Sequence, residues 1–236
     1  MTHHARLLPA GLDVSPSQID LLDAFGRELR RMNKRINLVS SETESEFWKR
    51  HTAHCLALAT RSFPEGARIV DWGSGGGLPA IPLAIMFPQC RIMGVDSVEK
   101  KVRSCTAIAR RLGLENCEFI HGRAETVHLM CDYSVSRATA PLATLWAWHR
   151  RVAAPVNAGT DGADPEPAME PPDTDRAPVW ERGLICLKGG DLQDEIDAML
   201  ESARQTGSTA PGVQTIPLGE LFDDPWYQQK VILQVA

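Results

Sequence analysis

The sequence contains no run of eighteen consecutive apolar residues, so no transmembrane helix is predicted. Its first fourteen residues hold one arginine and no apolar core, and we therefore expect no secretory signal. The six cysteines stand singly without a CxxC pair, which is typical of free thiols in a reducing compartment and not of a disulfide framework or a zinc site. These absences predict a cytoplasmic protein without a membrane partner.

The composition is that of an ordinary globular protein. The 236 residues are 43% hydrophobic and 23% charged, enough for one large domain or for a domain with a small appendage. The formal net charge of −5 comes from residues 157–183, which hold seven acidic and two basic side chains. This segment is rich in proline and glycine and has no periodicity, so we interpret it as a mobile insertion. The rest of the chain is neutral, and the net charge therefore does not exclude a nucleic-acid partner.

The chain alternates between predicted strands and predicted helices. Apolar, β-branched runs predict strands at residues 68–72, 90–96, 117–122, 133–138, 183–189, 213–218 and 229–235. Helical periodicity predicts helices at residues 18–36, 44–60, 79–87, 98–113, 141–153 and 191–207, the first capped by Ser15 or Ser17. This alternation predicts an α/β fold with a seven-stranded, mostly parallel sheet, helices on both faces and an antiparallel last strand. We expect an N-terminal helical extension over residues 1–64 and a main domain over residues 65–236.

A glycine-rich loop, VDWGSGGGLP (70–79), follows the first predicted strand. No lysine or arginine lies between Val70 and Ala84, which excludes a phosphate-binding P-loop. The dinucleotide pattern GxGxxA fits residues 75–80, but it starts three residues after the strand, where the fingerprint requires the turn itself. The match to a dinucleotide site is therefore weak.

An alternating pattern describes this loop better, because Asp71 is followed by Gly73, Gly75 and Gly77. Such a loop admits close backbone contact with a compact ligand that carries an amino-acid moiety, and Asp71 can orient an ammonium group. A second acid, Asp96, closes the next strand, where it can accept both ribose hydroxyls of an adenosine cofactor. The alternative is a glycine-rich turn that packs tightly under a helix.

Several longer motifs share one order along the chain: RINLVS (35–40), RH (50–51), DWGSGGGLPAIPLAI (71–85), DSVEKKVR (96–103), LENCEFIHGRAE (114–125), SRATAPL (136–142) and LKG (187–189). Together they resemble the class I methyltransferases that use S-adenosylmethionine, and more narrowly the RsmG (GidB) family of 16S ribosomal RNA guanine-N7 methyltransferases. The glycine loop is shared with many methyltransferases, whereas GLPxIPLAI with HGRAE and SRAxAPL is far more specific. The resemblance spans residues 31–189 and resumes in the last strand.

This resemblance implies a Rossmann-like methyltransferase domain at residues 65–236, S-adenosylmethionine as the cofactor, and 16S rRNA, the small ribosomal subunit or its assembly intermediate as the partner. It implies that Gly73 and Leu78 contact the methionine and adenosine portions and that Ala124 and Glu125 border the adenine. The full set of expected cofactor-binding residues is Asp71, Gly73, Gly75, Gly77, Leu78, Asp96, Ala124, Glu125 and Arg137.

The expected chemistry needs no general base, because guanine N7 has a free lone pair and loses no proton when it is methylated. Catalysis can then rest on orientation and electrostatic placement. In agreement, the chain lacks the [ND]PP[YFW] motif after the fourth strand and lacks a Pro-Cys nucleophile. The candidate catalytic residues are Arg137 and Lys188. By resemblance, Arg137 helps to bind the cofactor and lines the target pocket; the alternatives are a salt bridge for Arg137 and a solvated surface position for Lys188.

Three clusters of basic residues are candidates for RNA contacts; a single such cluster is more often a solvated face, but three that flank one site favour RNA binding. Their members are Arg31, Lys34 and Arg35 with Arg30 on one predicted helix face, Arg50 on the second helix, and Lys100, Lys101 and Arg103 on the helix after Asp96. His51 and His54 stand at i and i+3, but no third ligand is placed nearby, so we predict no metal site. By resemblance, His54 and Cys55 replace an aspartate and a serine of the family.

Two other functions remain open from the sequence. One is a methyltransferase that acts on a small molecule, and the other is a ribosome-associated protein that binds the cofactor but has lost catalysis. An NAD-dependent dehydrogenase is a more distant alternative. We expect the protein to act as a monomer.

Overall fold

One seven-stranded sheet organises the protein. The structure is a computed structural model that describes residues 7–40, 46–137, 140–155, 178–205 and 209–236. Its strands are β1 Arg68–Trp72, β2 Arg91–Asp96, β3 Cys117–His121, β4 Tyr133–Arg137, β5 Gly183–Gly189, β6 Val213–Pro217 and β7 Lys230–Val235. They lie in the order β3-β2-β1-β4-β5-β7-β6, with β1 to β5 parallel and β7 antiparallel to both β5 and β6. The predicted α/β class and the antiparallel last strand are confirmed.

Helices cover both faces of this sheet. They are α1 Pro16–Asn33; α2, which consists of a π-helical turn Trp48–Ala53, an α-helical turn His54–Leu56 and a 3-10 turn Ala57–Thr60; α3 Ala80–Met86; α4 Glu99–Arg111; α5 Leu142–Val152; and α6 Gln193–Gln205. Neighbouring residues of a strand point to opposite faces, so Ile69 packs with α2 and α3 whereas Val70 packs with α5 and α6. In the described part of the chain, no helix combines the length and the apolar character needed to cross a bilayer.

Helix α1 is shorter than its periodicity predicts. Ser15 caps it: the Ser15 hydroxyl accepts a hydrogen bond from the backbone N–H of Gln18 at 3.2 Å, and the Gln18 side chain accepts one from the Ser15 N–H at 2.9 Å. The helix ends at Asn33 and not at residue 36, because the Asn33 side-chain oxygen accepts hydrogen bonds from the backbone of Leu38 and Val39 and turns the chain back. The prediction that four basic residues share one helical face is therefore wrong for Lys34 and Arg35, because these two residues lie beyond the end of the helix.

The N-terminal extension and the glycine loop share one apolar core. Leu22, Phe25 and Leu29 of α1 are fully buried against side chains of α3 and α4. A Cβ atom added to Gly76 would lie 3.1 Å from the Leu29 side chain and 3.2 Å from the Leu38 carbonyl oxygen. The extension therefore packs directly against the loop that follows β1.

The acidic insertion predicted at residues 157–183 is described only at its end, because residues 156–177 lie outside the described part of the chain. Within the described end, Trp180 is buried, and its indole N–H donates to the Leu58 carbonyl at 2.9 Å. The backbone N–H of Trp180 donates to the Ser62 carbonyl at 3.0 Å, and the Tyr133 hydroxyl donates to the Trp180 carbonyl at 3.1 Å. Residues 178–183 therefore anchor the chain to α2 and the sheet before β5 begins.

The shared core makes the extension part of the cooperative unit. Leu22→Ala leaves a cavity at a fully buried position, so we expect the free energy of unfolding to fall by about 2–5 kcal/mol. Urea denaturation followed by circular dichroism and by tryptophan fluorescence measures this loss, and both probes should give one coincident transition. Arg27→Ala, at an exposed position of the same helix, is the control and should change stability by less than about 0.5 kcal/mol. Separate transitions for the two probes would contradict the shared core.

Candidate functional site

The loop after β1 has a backbone that only glycine adopts readily. Gly73, Gly75 and Gly77 have φ angles of 69°, 56° and 81°, and these are the three glycines of the alternating pattern. The N–H groups of Gly73 and Ser74 both donate to the carbonyl of Val95 in β2, at 2.9 and 3.0 Å. The loop is thus fixed across the carboxyl ends of β1 and β2, where ligands bind in open parallel sheets.

The glycines of this loop serve different purposes. A Cβ atom on Gly77 would lie 2.7 Å from the Ile81 side chain, so Gly77 permits the close packing of α3. A Cβ atom on Gly75 would meet nothing closer than 3.7 Å, so this position leaves room for a ligand. Leu78 is 3% exposed and packs with the side chains of α1. The structure therefore places Gly77 and Leu78 in the packing under the loop.

Asp71 lies buried at the base of the loop. Its Oδ2 accepts hydrogen bonds from the Ser74 hydroxyl at 2.6 Å and from the Ala80 backbone N–H at 3.2 Å. Its Oδ1 is buried and accepts no hydrogen bond from any described residue. Burial raises the pKa of Asp71 to about 7, although the Ser74 and Ala80 hydrogen bonds and the positive charge of Arg137 act in the opposite direction. A buried carboxylate oxygen without a donor fits the ammonium group of an amino-acid moiety.

The first cavity of the site, about 450 Å³ in volume, opens beside this loop. It brings together five of the predicted cofactor residues, which are Gly73, Gly75, Asp96, Ala124 and Glu125. Asp96 is oriented by backbone donors, since its Oδ2 accepts from the N–H of Gly75 at 2.9 Å and its Oδ1 from the N–H of Val98 at 2.8 Å. Each carboxylate oxygen has a second acceptor position, so Asp96 can still receive ribose hydroxyls.

Two residues that shape the first cavity or its wall were not predicted from the sequence. Trp148 of α5 lines the cavity, and its ring lies 5.9 Å from the ring of Trp72. Arg151 of the same helix donates to the carbonyls of Ala124 and of Val127, the latter at 2.8 Å, and so fixes the segment after β3. In the sequence, Trp148 stands next to the apolar residues that form the buried face of α5, and this position was the pattern from which its place in the cavity could have been predicted. No local pattern links Arg151 to a loop 24 residues earlier.

The second cavity of the site, about 540 Å³ in volume, lies further along the same edge of the sheet. It is lined by His54, Arg137, Ala140, Leu187, Lys188, Gly189, Asp191, Leu192, Glu195 and Lys230. Because β4 is the direct neighbour of β1, Arg137 at the end of β4 stands between the two cavities. Another cavity, about 490 Å³, opens at the opposite edge between the amino ends of β2 and β3, away from these residues.

Arg137 is held by the N-terminal extension. Its guanidinium donates to Nδ1 of His51 at 2.9 Å and to the Arg50 carbonyl at 3.4 Å. Burial, with the positive charges of Arg137 and Arg50, lowers the pKa of His51 to about 3, so the imidazole is neutral and keeps a lone pair for Arg137. Helix α2 thus fixes the direction of the Arg137 side chain.

His54 forms a neutral part of the wall of the second cavity. It is 7% exposed, and its ring packs edge to face against Trp226 at 5.3 Å. Burial lowers its pKa well below the usual value, and the nearby charges of Arg137 and Lys230 add to this effect. Its Nε2 has no hydrogen-bond partner among the described residues. In the same part of the chain, no group of three or more His, Cys, Asp or Glu side chains could hold a metal ion.

Lys188 is held in the wall of the second cavity. Its ammonium group donates to the Ala140 carbonyl at 2.9 Å and to Oε1 of Glu195 at 3.0 Å. The side chain is only 10% exposed. Lys188 therefore lines the second cavity, and its ammonium group is hydrogen-bonded to two oxygen atoms of the protein.

The predicted RNA-binding residues differ in how closely they approach the two cavities. Lys101 lines the first cavity, and the Arg50 carbonyl contacts Arg137 at the second. The remaining predicted residues are exposed, and they are Arg31, Lys34, Arg35, Lys100 and Arg103. Of these, Arg31 forms a salt bridge with Glu28. They are available to phosphate groups at the protein surface.

The raised pKa of Asp71 makes stability depend on pH. The group is protonated more readily in the folded protein than in the unfolded chain, so its contribution is complete at low pH and is lost as pH rises through about 7. Between pH 6 and pH 8 this loss is on the order of 1 kcal/mol in the free energy of unfolding. Asp71→Asn should remove this part of the pH dependence, whereas Asp20→Asn at an exposed position should retain it. Equal pH profiles for wild type and Asp71→Asn in urea denaturation would contradict the assignment.

Comparison with known proteins agrees with this geometry. The family model described as rRNA small subunit methyltransferase G (GidB) matches residues 18–157. The chain is 50% identical over 186 residues to the ribosomal RNA small subunit methyltransferase G of Salinibacter ruber, which covers 79% of each chain. It is 35% identical over 226 residues to the protein of that name from Chlorobaculum tepidum, which covers 94% of this chain and 91% of the other.

A solved structure shows the same fold. The magnesium protoporphyrin IX methyltransferase of Synechocystis, solved with bound S-adenosylmethionine, matches with a TM-score of 0.54 at 13% identity and covers 96% of this chain and 98% of that one. The fold is therefore that of the class I methyltransferases, as the resemblance implies. With the family model matching more than half of its length, the chain belongs to the rRNA small subunit methyltransferase G (RsmG, GidB) family.

Proposed function

We propose that the protein transfers a methyl group from S-adenosylmethionine to N7 of a guanine in the 16S rRNA of the small ribosomal subunit. The observation that carries this proposal is a pair of cavities along one edge of the sheet, one lined by Gly73, Gly75 and Asp96 at the loop that the buried Asp71 holds, and the other bordered by Arg137. S-Adenosylmethionine supplies an electrophilic methyl group on a positively charged sulfur. A ribosomal substrate implies that the protein acts in the cytoplasm.

The first cavity binds the cofactor. Asp71 Oδ1 accepts hydrogen bonds from the ammonium group, because this oxygen is buried and has no other donor among the described residues. Gly73 and Gly75 allow the backbone to approach closely, and Asp96 accepts the ribose hydroxyls. Ala124 and Glu125 border the adenine. We also propose that Gly77 and Leu78 support this cavity through the packing of the loop.

The second cavity binds the acceptor base. N7 of guanine carries a free lone pair, so the site has to orient the base and does not have to remove a proton. His51 and His54 are consistent with this, since their low pKa values make both imidazoles weak bases at neutral pH. Arg137, fixed by His51 between the two cavities, orients the reacting groups. Lys188 completes the wall on the side of β5.

The RNA reaches this cavity only when the target guanine is accessible. The major groove of an RNA helix is too narrow for side chains, and N7 lies on that edge of the base. The target guanine therefore lies in a loop or is turned out of its helix. Exposed cations at the end of α1 and on α4 bind the phosphates around it.

Arg137→Ala should lower kcat/KM for methyl transfer by about 100-fold or more, because a fixed cation between the two cavities is lost. The assay uses labelled S-adenosylmethionine with undermethylated small subunits or their free 16S rRNA, and maps 7-methylguanine by cleavage at the modified base. Arg204→Ala, an exposed arginine of α6, is the control and should retain wild-type transfer. Transfer by Arg137→Ala at the wild-type rate would show that this residue is not part of the site.

Absence of transfer by the wild type to either substrate would contradict the proposed function, and transfer without RNA would indicate a small-molecule substrate.

Replacing Lys34 and Arg35 together by Ala should weaken RNA binding without changing the affinity for the cofactor. Both residues are exposed beyond the end of α1 and outside the two cavities. If each contacts one phosphate, the slope of log K against log salt should fall by about 2. Filter binding of 16S rRNA at several salt concentrations measures this slope, and calorimetry measures the cofactor affinity. An unchanged slope would place the RNA elsewhere.

A further inference from the structure

The second cavity has an acidic side that the orientation of N7 does not explain. Glu195 lies in the first turn of α6 and lines this cavity together with Asp191. A carboxylate in a methyl-acceptor pocket is not needed to remove a proton, because methylation at N7 releases none. A carboxylate at this position therefore has a role other than that of a general base.

The Glu195 carboxylate is fixed by Lys188 and retains acceptor capacity. Both carboxylate oxygens lie 3.0 Å from the Lys188 ammonium nitrogen, which donates to Oε1, and Oε2 is a buried atom. A carboxylate oxygen has two acceptor positions, so Oε1 can accept a further hydrogen bond beside that of Lys188. Lys188 is itself held by the Ala140 carbonyl at 2.9 Å. The Glu195 side chain is 29% exposed, compared with 10% for Lys188, so Glu195 is the more accessible residue of the pair.

A carboxylate in this position distinguishes guanine from adenine. The Watson–Crick edge of guanine offers two neighbouring donors, N1–H and the 2-amino group, and an ionised carboxylate only accepts hydrogen bonds. Adenine has a lone pair at N1, which a carboxylate repels. The same cavity carries the cationic side chains of Arg137 and Lys230, and these suit the O6 acceptor of guanine.

We propose that Glu195 selects guanine in the second cavity by accepting hydrogen bonds from N1–H and the 2-amino group of the target base, and that Lys188 is the positioning residue that orients its carboxylate. The inference rests on the proposed function and adds a specificity residue to it. Methylation at N7 places a positive charge on the purine while N1–H stays in place. The hydrogen bonds to Glu195 therefore become stronger as the methyl group is transferred, so they favour the transition state.

The test compares guanosine with inosine, which lacks the 2-amino group but keeps N7, O6 and N1–H. Small subunits are reconstituted with 16S rRNA in which the mapped target guanosine is retained or replaced by inosine. For the wild type, we expect kcat/KM to be about tenfold lower with inosine. For Glu195→Gln we expect a lower kcat/KM with guanosine and less than a twofold difference between the two bases. Glu201→Gln, an exposed glutamate of the same helix, is the matched control and should retain the tenfold difference.

The positioning role of Lys188 has its own comparison. Lys188→Met should reduce the discrimination between the two bases, and Lys188→Arg should restore most of it, because an arginine can still donate to Glu195. A role of Lys188 in stability alone would change the free energy of unfolding and leave the discrimination intact. Binding of S-adenosylmethionine, measured by calorimetry, verifies that each variant is folded.

Three outcomes would overturn the inference. Equal transfer to guanosine and inosine by the wild type does so without relying on any variant. A tenfold difference that persists in Glu195→Gln assigns the selection to another group. Where Glu195→Gln is too slow to measure, Glu195→Asp replaces it, since it keeps the charge but withdraws the carboxylate. Absence of transfer by the wild type to the guanosine subunit overturns the proposed function itself, and this result is distinct from the first two.

Discussion

The arrangement of the site depends on the buried carboxylate of Asp71. One of its oxygens binds the hydroxyl of Ser74 in the glycine loop and the first N–H of α3, so a single side chain fixes both ends of the segment that crosses β1. The other oxygen has no partner among the described residues. Burial of this charge is costly, as its raised pKa shows, and in the proposed function the ammonium group of the cofactor offsets this cost. A cofactor site requires a polar group of this kind, whose hydrogen bonds are satisfied only when the ligand is bound.

The N-terminal extension packs against the glycine loop and lines the second cavity. On the cofactor side, α1 and the Leu38 carbonyl pack so closely against Gly76 that a Cβ atom there would crowd both. On the acceptor side, α2 supplies His51, whose neutral imidazole accepts a hydrogen bond from Arg137. The basic residues at the end of α1 belong to the same extension. The extension and the loop share one apolar core, so the position of α1 and the position of the loop depend on each other.

Charge in the second cavity is arranged to orient a base and not to remove a proton. Arg137 and Lys230 supply positive charge, His54 stays neutral, and the carboxylate of Glu195 is balanced by Lys188. In the proposed function, a neutral guanine meets donors at O6 and an acceptor at its Watson–Crick edge in this cavity. This balance also explains why Lys188 is buried, because its charge compensates that of Glu195 in a part of the protein with little solvent.

The sequence by itself determined the order of strands and helices, the alternating glycines of the loop and the acids at the carboxyl ends of β1 and β2, because these depend on local periodicity and on backbone angles that glycine alone adopts readily. It also predicted most of the first cavity, since the carboxyl ends of parallel strands share one edge of the sheet. Only the tertiary structure decided that Gly77 and Leu78 serve packing, that α1 stops at Asn33, that Trp148 lines the first cavity, and that Arg151 holds the segment after β3. The pairs His51 with Arg137 and Lys188 with Glu195 likewise depend on contacts between separate elements. Such contacts are set by how helices pack on the sheet, and no spacing within one segment encodes them.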